Sequence, residues 1–62
     1  MNIEKLLIIL KEKNISRYKL SKMTGINEST INRLINEPNK DPKISTVKAI
    51  AKALEVDINQ II

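Results

Sequence analysis

The chain has 62 residues, a formal net charge of +4 and 42% hydrophobic residues, which indicates one small domain over residues 1–62 with enough apolar side chains for a core. It has no cysteine and no histidine, so a thiolate metal site and the commonest general base are missing, and we expect neither an enzyme nor a cofactor. The longest apolar run, residues 6–10, is too short to cross a bilayer and no signal-peptide pattern accompanies it, so we expect a cytoplasmic protein without membrane contact.

Four places share a pattern that marks the start of a helix: an apolar residue, a capping residue next to it, and a second apolar residue five positions after the first. They are Met1-Asn2…Leu6, Ile15-Ser16…Leu20, Ile26-Asn27…Ile31 and Val56-Asp57…Ile61. The first predicted helix runs from Ile3 to about Lys13, and Asn14 in the left-handed conformation is expected to end it.

The second and third predicted helices cover residues 17–24 and 28–36 and are separated by the only glycine of the chain. Gly25 can adopt a positive φ and end the second helix in a sharp turn, after which Asn27 offers a cap to the third helix. Pro38 requires the third helix to stop before it. Two short helices joined by a tight turn are typical of a helix-turn-helix arrangement.

Prolines at both ends predict a loop over residues 38–42. A fourth helix is expected to begin near Ser45, and a short fifth helix to cover residues 57–62. The isoleucines of this last helix either close the core or form a small symmetric patch that pairs two copies. No segment alternates with a period of two residues, so the predicted fold class is all-α, with five helices.

One side of the third predicted helix is apolar and the other is polar. At about 100° per residue, the polar side collects Glu28, Ser29, Asn32, Arg33 and Asn36. Side chains of these types reach base edges in a major groove: arginine binds guanine with two hydrogen bonds, asparagine binds adenine, and glutamate accepts from the cytosine amino group. Any surface helix also presents a polar side to solvent, so this side by itself leaves both interpretations open.

The chain contains, in order, Leu20-Ser21-x-x-Thr24-Gly25-Ile26-x-x-Ser29-Thr30-Ile31-x-Arg33-Leu34, Asp41-Pro42, Thr46…Ile50-Ala51-Lys52-Ala53-Leu54 and Val56-Asp57. This arrangement resembles the phage repressor and Cro-type helix-turn-helix domains, the lambda-repressor-like (XRE-like) family, over nearly the whole chain. The resemblance implies a compact five-helix bundle whose helices 2 and 3 form the helix-turn-helix. It also implies a repressor-like transcriptional regulator that binds double-stranded DNA sequence-specifically, as a homodimer on a two-fold-related operator, with helix 3 in the major groove.

Carried over by position, the resemblance implies two sets of residues that contact DNA. The residues that would face bases are Asn27, Glu28, Ser29, Asn32 and Arg33. The residues that would contact phosphates are Ser16, Arg17, Lys22, Lys40 and Lys43. The first two of these lie at the start of the second helix, where backbone N–H groups and the helix dipole also attract a phosphate.

The sequence departs from the family pattern at three places. Relatives often have a glycine at the end of the third helix, where this chain has Asn36 followed by glutamate and proline, so Asn36 is expected in the left-handed conformation. A polar residue is frequent where Ile35 stands. Glu28 brings a negative charge to the polar side, where it repels phosphate unless it pairs with cytosine or with Arg33.

Two other interpretations stay open. The same fold could act as a protein-interaction module that holds a toxin, a polymerase subunit or another regulator, with Ile8, Ile9 and Ile35 as its exposed surface. The chain could also be one domain of a longer repressor. A gel shift with random duplex separates the first alternative from DNA binding, because a pure protein-binding module gives no salt-dependent shift.

Overall fold

The computed structural model describes residues 1–37 and 41–62. These residues form four α-helices: α1 (Ile3–Glu12), α2 (Arg17–Thr24), α3 (Glu28–Asn36) and α4 (Ile44–Leu54). They contain no strand, so the all-α prediction is confirmed for the part of the chain that the structure describes. No helix in those residues has both the length and the apolar character needed to cross a membrane.

The fifth helix is not confirmed, because a single 3₁₀ turn (Ile58–Gln60) stands in its place. Ile61 leaves the helical region at φ −125°, and its side chain is completely buried in the core. Its carbonyl accepts a hydrogen bond from the backbone N–H of Asn2 at 2.7 Å. Burial of Ile61 and this hydrogen bond to the amino-terminal segment therefore fix the chain directly after the 3₁₀ turn.

Capping residues at three of the four predicted positions start a helix or turn through their side chains. The side-chain oxygens of Asn2 and Ser16 each accept the backbone N–H three residues further on, at 3.1 and 3.0 Å. Asp57 and Gln60 form a reciprocal capping box around the 3₁₀ turn. Asn27 occupies the predicted cap position before α3, but its side chain makes no capping hydrogen bond, so the prediction is confirmed for the position and wrong for the side chain.

The ends of α1, α2 and α3 are set by the backbone conformations of the residues that follow them. Gly25 adopts φ +77° after α2 and Asn14 adopts φ +56° after α1, which confirms both predicted left-handed positions. The same prediction for Asn36 is wrong: it is the last residue of α3, and Glu37 follows it at φ −122° and ψ 69°. Because Glu37 precedes Pro38, its backbone is pushed out of the helical region without a left-handed residue.

The core lies where α2 packs against α3 and α4 and where the 3₁₀ turn closes on α4. Among the described residues its buried side chains are Leu6, Leu10, Leu20, Ile31, Ile35, Val47, Ile50, Ala51, Leu54 and Ile61. Ile35 therefore belongs to the core and Ile9 is half-buried against it, so the predicted protein-interaction surface is wrong for Ile35. Ile8 remains exposed.

Replacing Gly25 by alanine is expected to destabilise the domain by about 1–2 kcal/mol, because an L-residue is strained in the left-handed region. An added Cβ would meet no other atom within 4 Å, so the expected loss is conformational and not steric. Urea unfolding measures it, and Gly25→Asn serves as the control because asparagine tolerates the left-handed region better. An alanine variant as stable as the parent would contradict the prediction.

Candidate nucleic-acid interface

Side chains of α2 brace the turn between α2 and α3. The Ser21 hydroxyl donates a hydrogen bond to the carbonyl of Ile26, across the turn. The Thr24 hydroxyl donates to the carbonyl of Leu20 at 2.8 Å and accepts the N–H of Ile26 at 3.2 Å. Serine at position 21 therefore contributes a hydrogen bond to the turn as well as a small side chain. These bonds hold α3 in a defined direction relative to α2.

The outer side of α3 is polar in the structure. Glu28, Ser29 and Arg33 are exposed, as is Asn27 just before the helix. On the opposite side, Ile31 is buried. Glu28 and Arg33 are five residues apart, which turns them about 140° from each other around the helix axis, so they do not form a neighbouring pair on the helix surface. Four of the five predicted base-contacting residues thus lie on accessible surface.

Asn32, the fifth of these residues, is half-buried and bonded to another helix. The Nη1 atom of Arg17, the first residue of α2, donates to the side-chain oxygen of Asn32 at 2.9 Å. The structure therefore joins a predicted phosphate-contacting residue to a predicted base-contacting residue. The two are 15 positions apart, and nothing in the sequence indicates that their side chains meet.

Polar groups lie together at the start of α2. Ser16 is exposed, and its hydroxyl oxygen already accepts the N–H of Lys19. The first N–H groups of α2, those of Arg17 and Tyr18, have no carbonyl within the helix to bond to, as at every helix start. They point along the helix dipole toward any phosphate that approaches this end.

Lys22 and Tyr18 contact each other on the surface of α2. The Lys22 ammonium lies 5.3 Å from the centre of the Tyr18 ring, within the range of a cation–π contact. Tyr18 is 58% exposed, so the contact lies at the surface. The sequence does contain a signal for this pair, because residues four apart are neighbours on a helix.

One of the two remaining predicted phosphate contacts, Lys43, lies at the start of α4. Lys43 is exposed at the position before the first residue of α4. Lys40 lies outside the described residues. Within residues 1–37 and 41–62, no three histidine, cysteine, aspartate or glutamate side chains come together as a metal-binding group.

The chain is similar to known helix-turn-helix proteins. The chain is 39% identical over 49 residues to a protein of Coxiella burnetii (strain RSA 493 / Nine Mile phase I) described as an uncharacterized HTH-type transcriptional regulator. The match covers 79% of this chain and 23% of that protein, so the chain spans about a quarter of its relative's length. No solved structure matches the chain significantly. A family model of the Cro/C1-type HTH DNA-binding domain matches residues 5–62, and the chain belongs to this family.

Proposed function

We propose that this helix-turn-helix domain binds double-stranded DNA sequence-specifically, with α3 in the major groove, as the DNA-binding unit of a repressor-like transcriptional regulator. The observation that carries the proposal is the polar, accessible side of α3, which the braced turn holds beside the amino-terminal end of α2. A helix held in this way can enter a major groove while the neighbouring helix start contacts the backbone.

Contacts to phosphates and contacts to bases have different roles in this binding. Phosphate contacts supply most of the affinity, and the proposed ones are Ser16, Arg17, Lys22, Lys40 and Lys43. Base contacts supply the sequence preference, and the proposed ones are Asn27, Glu28, Ser29, Asn32 and Arg33. The cap geometry favours Asn27 for this role, because its amide is not used to start α3.

A homodimer on a two-fold-related operator fits the size of the domain. One small module buries about 600–1,000 Å² on DNA, which gives weak binding by itself. Two copies bound to two half-sites double the contacts and explain why operators of this kind are palindromic. Ile61 is taken up by the core, so of the C-terminal isoleucines Ile62, which is 56% exposed, is the best placed for a contact between copies.

Arg33→Ala is expected to weaken binding to the preferred site by about 1–3 kcal/mol and to relax the preference at one base pair, because arginine discriminates guanine through two hydrogen bonds. Selection of bound sites from a random duplex library, followed by titration of the enriched site, measures both effects. Arg33→Lys keeps the charge but loses the paired geometry, so it should recover affinity for random duplex and not the base preference.

Lys52→Ala on α4 is the matched control, because it removes one exposed positive charge outside the proposed interface. It should leave the selected sequence unchanged. The role of α3 in base recognition would be wrong if Arg33→Ala gave the same base-preference profile as the parent chain.

A further inference from the structure

The hydrogen bond between α2 and α3 fixes the orientation of one side-chain amide. Arg17 and Asn32 are joined by a bond of 2.9 Å from guanidinium Nη1 to amide oxygen. A guanidinium carries donors and no acceptor, so the amide can present only its oxygen to Arg17. The amide NH₂ group of Asn32 is then on the branch away from the arginine. The amide of an unbonded asparagine can rotate so that its oxygen and NH₂ group exchange places, and the bond to Arg17 prevents this rotation.

We propose that Arg17 is a positioning residue for DNA recognition: it holds the Asn32 amide with its NH₂ group toward the major groove, so that this position selects a base with an acceptor edge, guanine or thymine. The inference rests on the proposed function, since it requires α3 to lie in the groove. It goes beyond that function by assigning a base class to one residue and a role in specificity to a residue otherwise expected only to contact phosphate.

Electrostatics favours a base whose major-groove edge presents only acceptors over adenine, whose edge also presents an amino group. An asparagine binds adenine through donation to N7 and acceptance from the N6 amino group together. In this domain the amide oxygen already accepts from a cation, and the positively charged guanidinium repels the amino hydrogens of adenine that would approach the same oxygen. Guanine presents O6 and N7 and thymine presents O4, all acceptors that attract both the amide NH₂ group and the neighbouring positive charge.

The same bond couples the phosphate contact to the base contact. A guanidinium has five N–H donors, and the bond to Asn32 uses one of them, so donors remain for a phosphate near the start of α2. A phosphate that anchors Arg17 therefore also steadies the amide on α3. Removing the guanidinium should change base preference at the position that Asn32 faces, and not only the overall affinity.

The test compares two variants that change opposite ends of the bond. Asn32→Asp keeps an oxygen for Arg17 and replaces the outward donor by an acceptor, so the preference at one position should change from guanine or thymine to the amino-bearing bases cytosine or adenine. Arg17→Met keeps an unbranched apolar stem and removes the donors, so the preference for guanine or thymine there should fall by about 5- to 150-fold. Arg17→Lys, which can still donate to the amide oxygen, should restore part of it.

The measurement is the base-preference profile of each full chain from a random duplex library, with dissociation constants for four duplexes that differ at that base pair. Thermal unfolding of each variant confirms that it is folded. If the parent chain shows no base preference anywhere, the proposed function itself fails. If the parent shows a preference that Arg33→Ala alters, while Asn32→Asp and Arg17→Met change affinity equally for all four duplexes, the positioning role is overturned and the proposed function stands.

Discussion

Raising the salt concentration from about 50 to 200 mM is expected to weaken duplex binding by about a thousandfold. The physical reason is counterion release: each phosphate that a basic side chain neutralises frees nearly one bound cation, and added salt opposes this release. A dimer that neutralises roughly six phosphates gives a slope of about −5 in a plot of log K against log salt. Fluorescence anisotropy with a labelled duplex at four or five salt concentrations measures this slope.

Variants of the basic residues test where the slope comes from. Lys22→Ala should make it less steep by about one for each copy bound, since one phosphate contact is lost. Lys52→Ala removes an equal charge from the exposed surface of α4 and should leave the slope close to that of the parent. A protein-interaction module would show no salt-dependent binding to duplex, so a flat plot would favour that alternative over DNA binding.

Leu20→Ala is expected to destabilise the domain by about 2–5 kcal/mol, the usual cost of a large cavity in a core. Leu20 is 0% exposed and lies on α2, the helix that packs against both α3 and α4. A domain of this size has a total stability of only about 3–9 kcal/mol, so the variant should lose a large fraction of its free energy of unfolding. Circular dichroism during urea unfolding measures the change.

Leu7→Ala is the matched control for this prediction. It makes the same chemical change on α1, where the side chain is 40% exposed, so less apolar surface returns to water and little cavity is left. We expect a loss of less than about 1.5 kcal/mol there. Equal losses for the two leucines would mean that the packing of α2 against its neighbours is not what holds the domain together.

Local signals explain the predicted elements that are confirmed. The bounds of α2 and α3 follow from a serine cap before Arg17, a glycine after Thr24 and a proline after Glu37. Each of these acts on its nearest neighbours in the chain through backbone geometry or a capping hydrogen bond. Such effects can be read from a single sequence because they do not depend on what packs against the segment.

Three predictions that the structure does not confirm depend on distant neighbours or on a competing local effect. Ile35 is buried because α3 turns that side toward the core, whereas it was predicted to lie on an exposed protein-interaction surface. Ile61 leaves the predicted fifth helix because the core takes up its side chain. Helix α3 ends after Asn36 because Glu37 precedes Pro38 and its backbone is kept out of the helical region, so no left-handed residue is needed there. Helical periodicity contains no information on the last two of these effects.

By itself the sequence determined that the chain forms a helix-turn-helix with a polar side on its second helix, because caps, a glycine, a proline and apolar spacing are local and strong. Only the tertiary structure decided how that polar side is organised. In the folded domain the Asn27 side chain makes no capping hydrogen bond, and Arg17 donates a hydrogen bond to Asn32, 15 positions further along the chain. Side-chain hydrogen bonds between helices depend on crossing angle and distance to within an ångström, and those quantities arise only when the whole core packs.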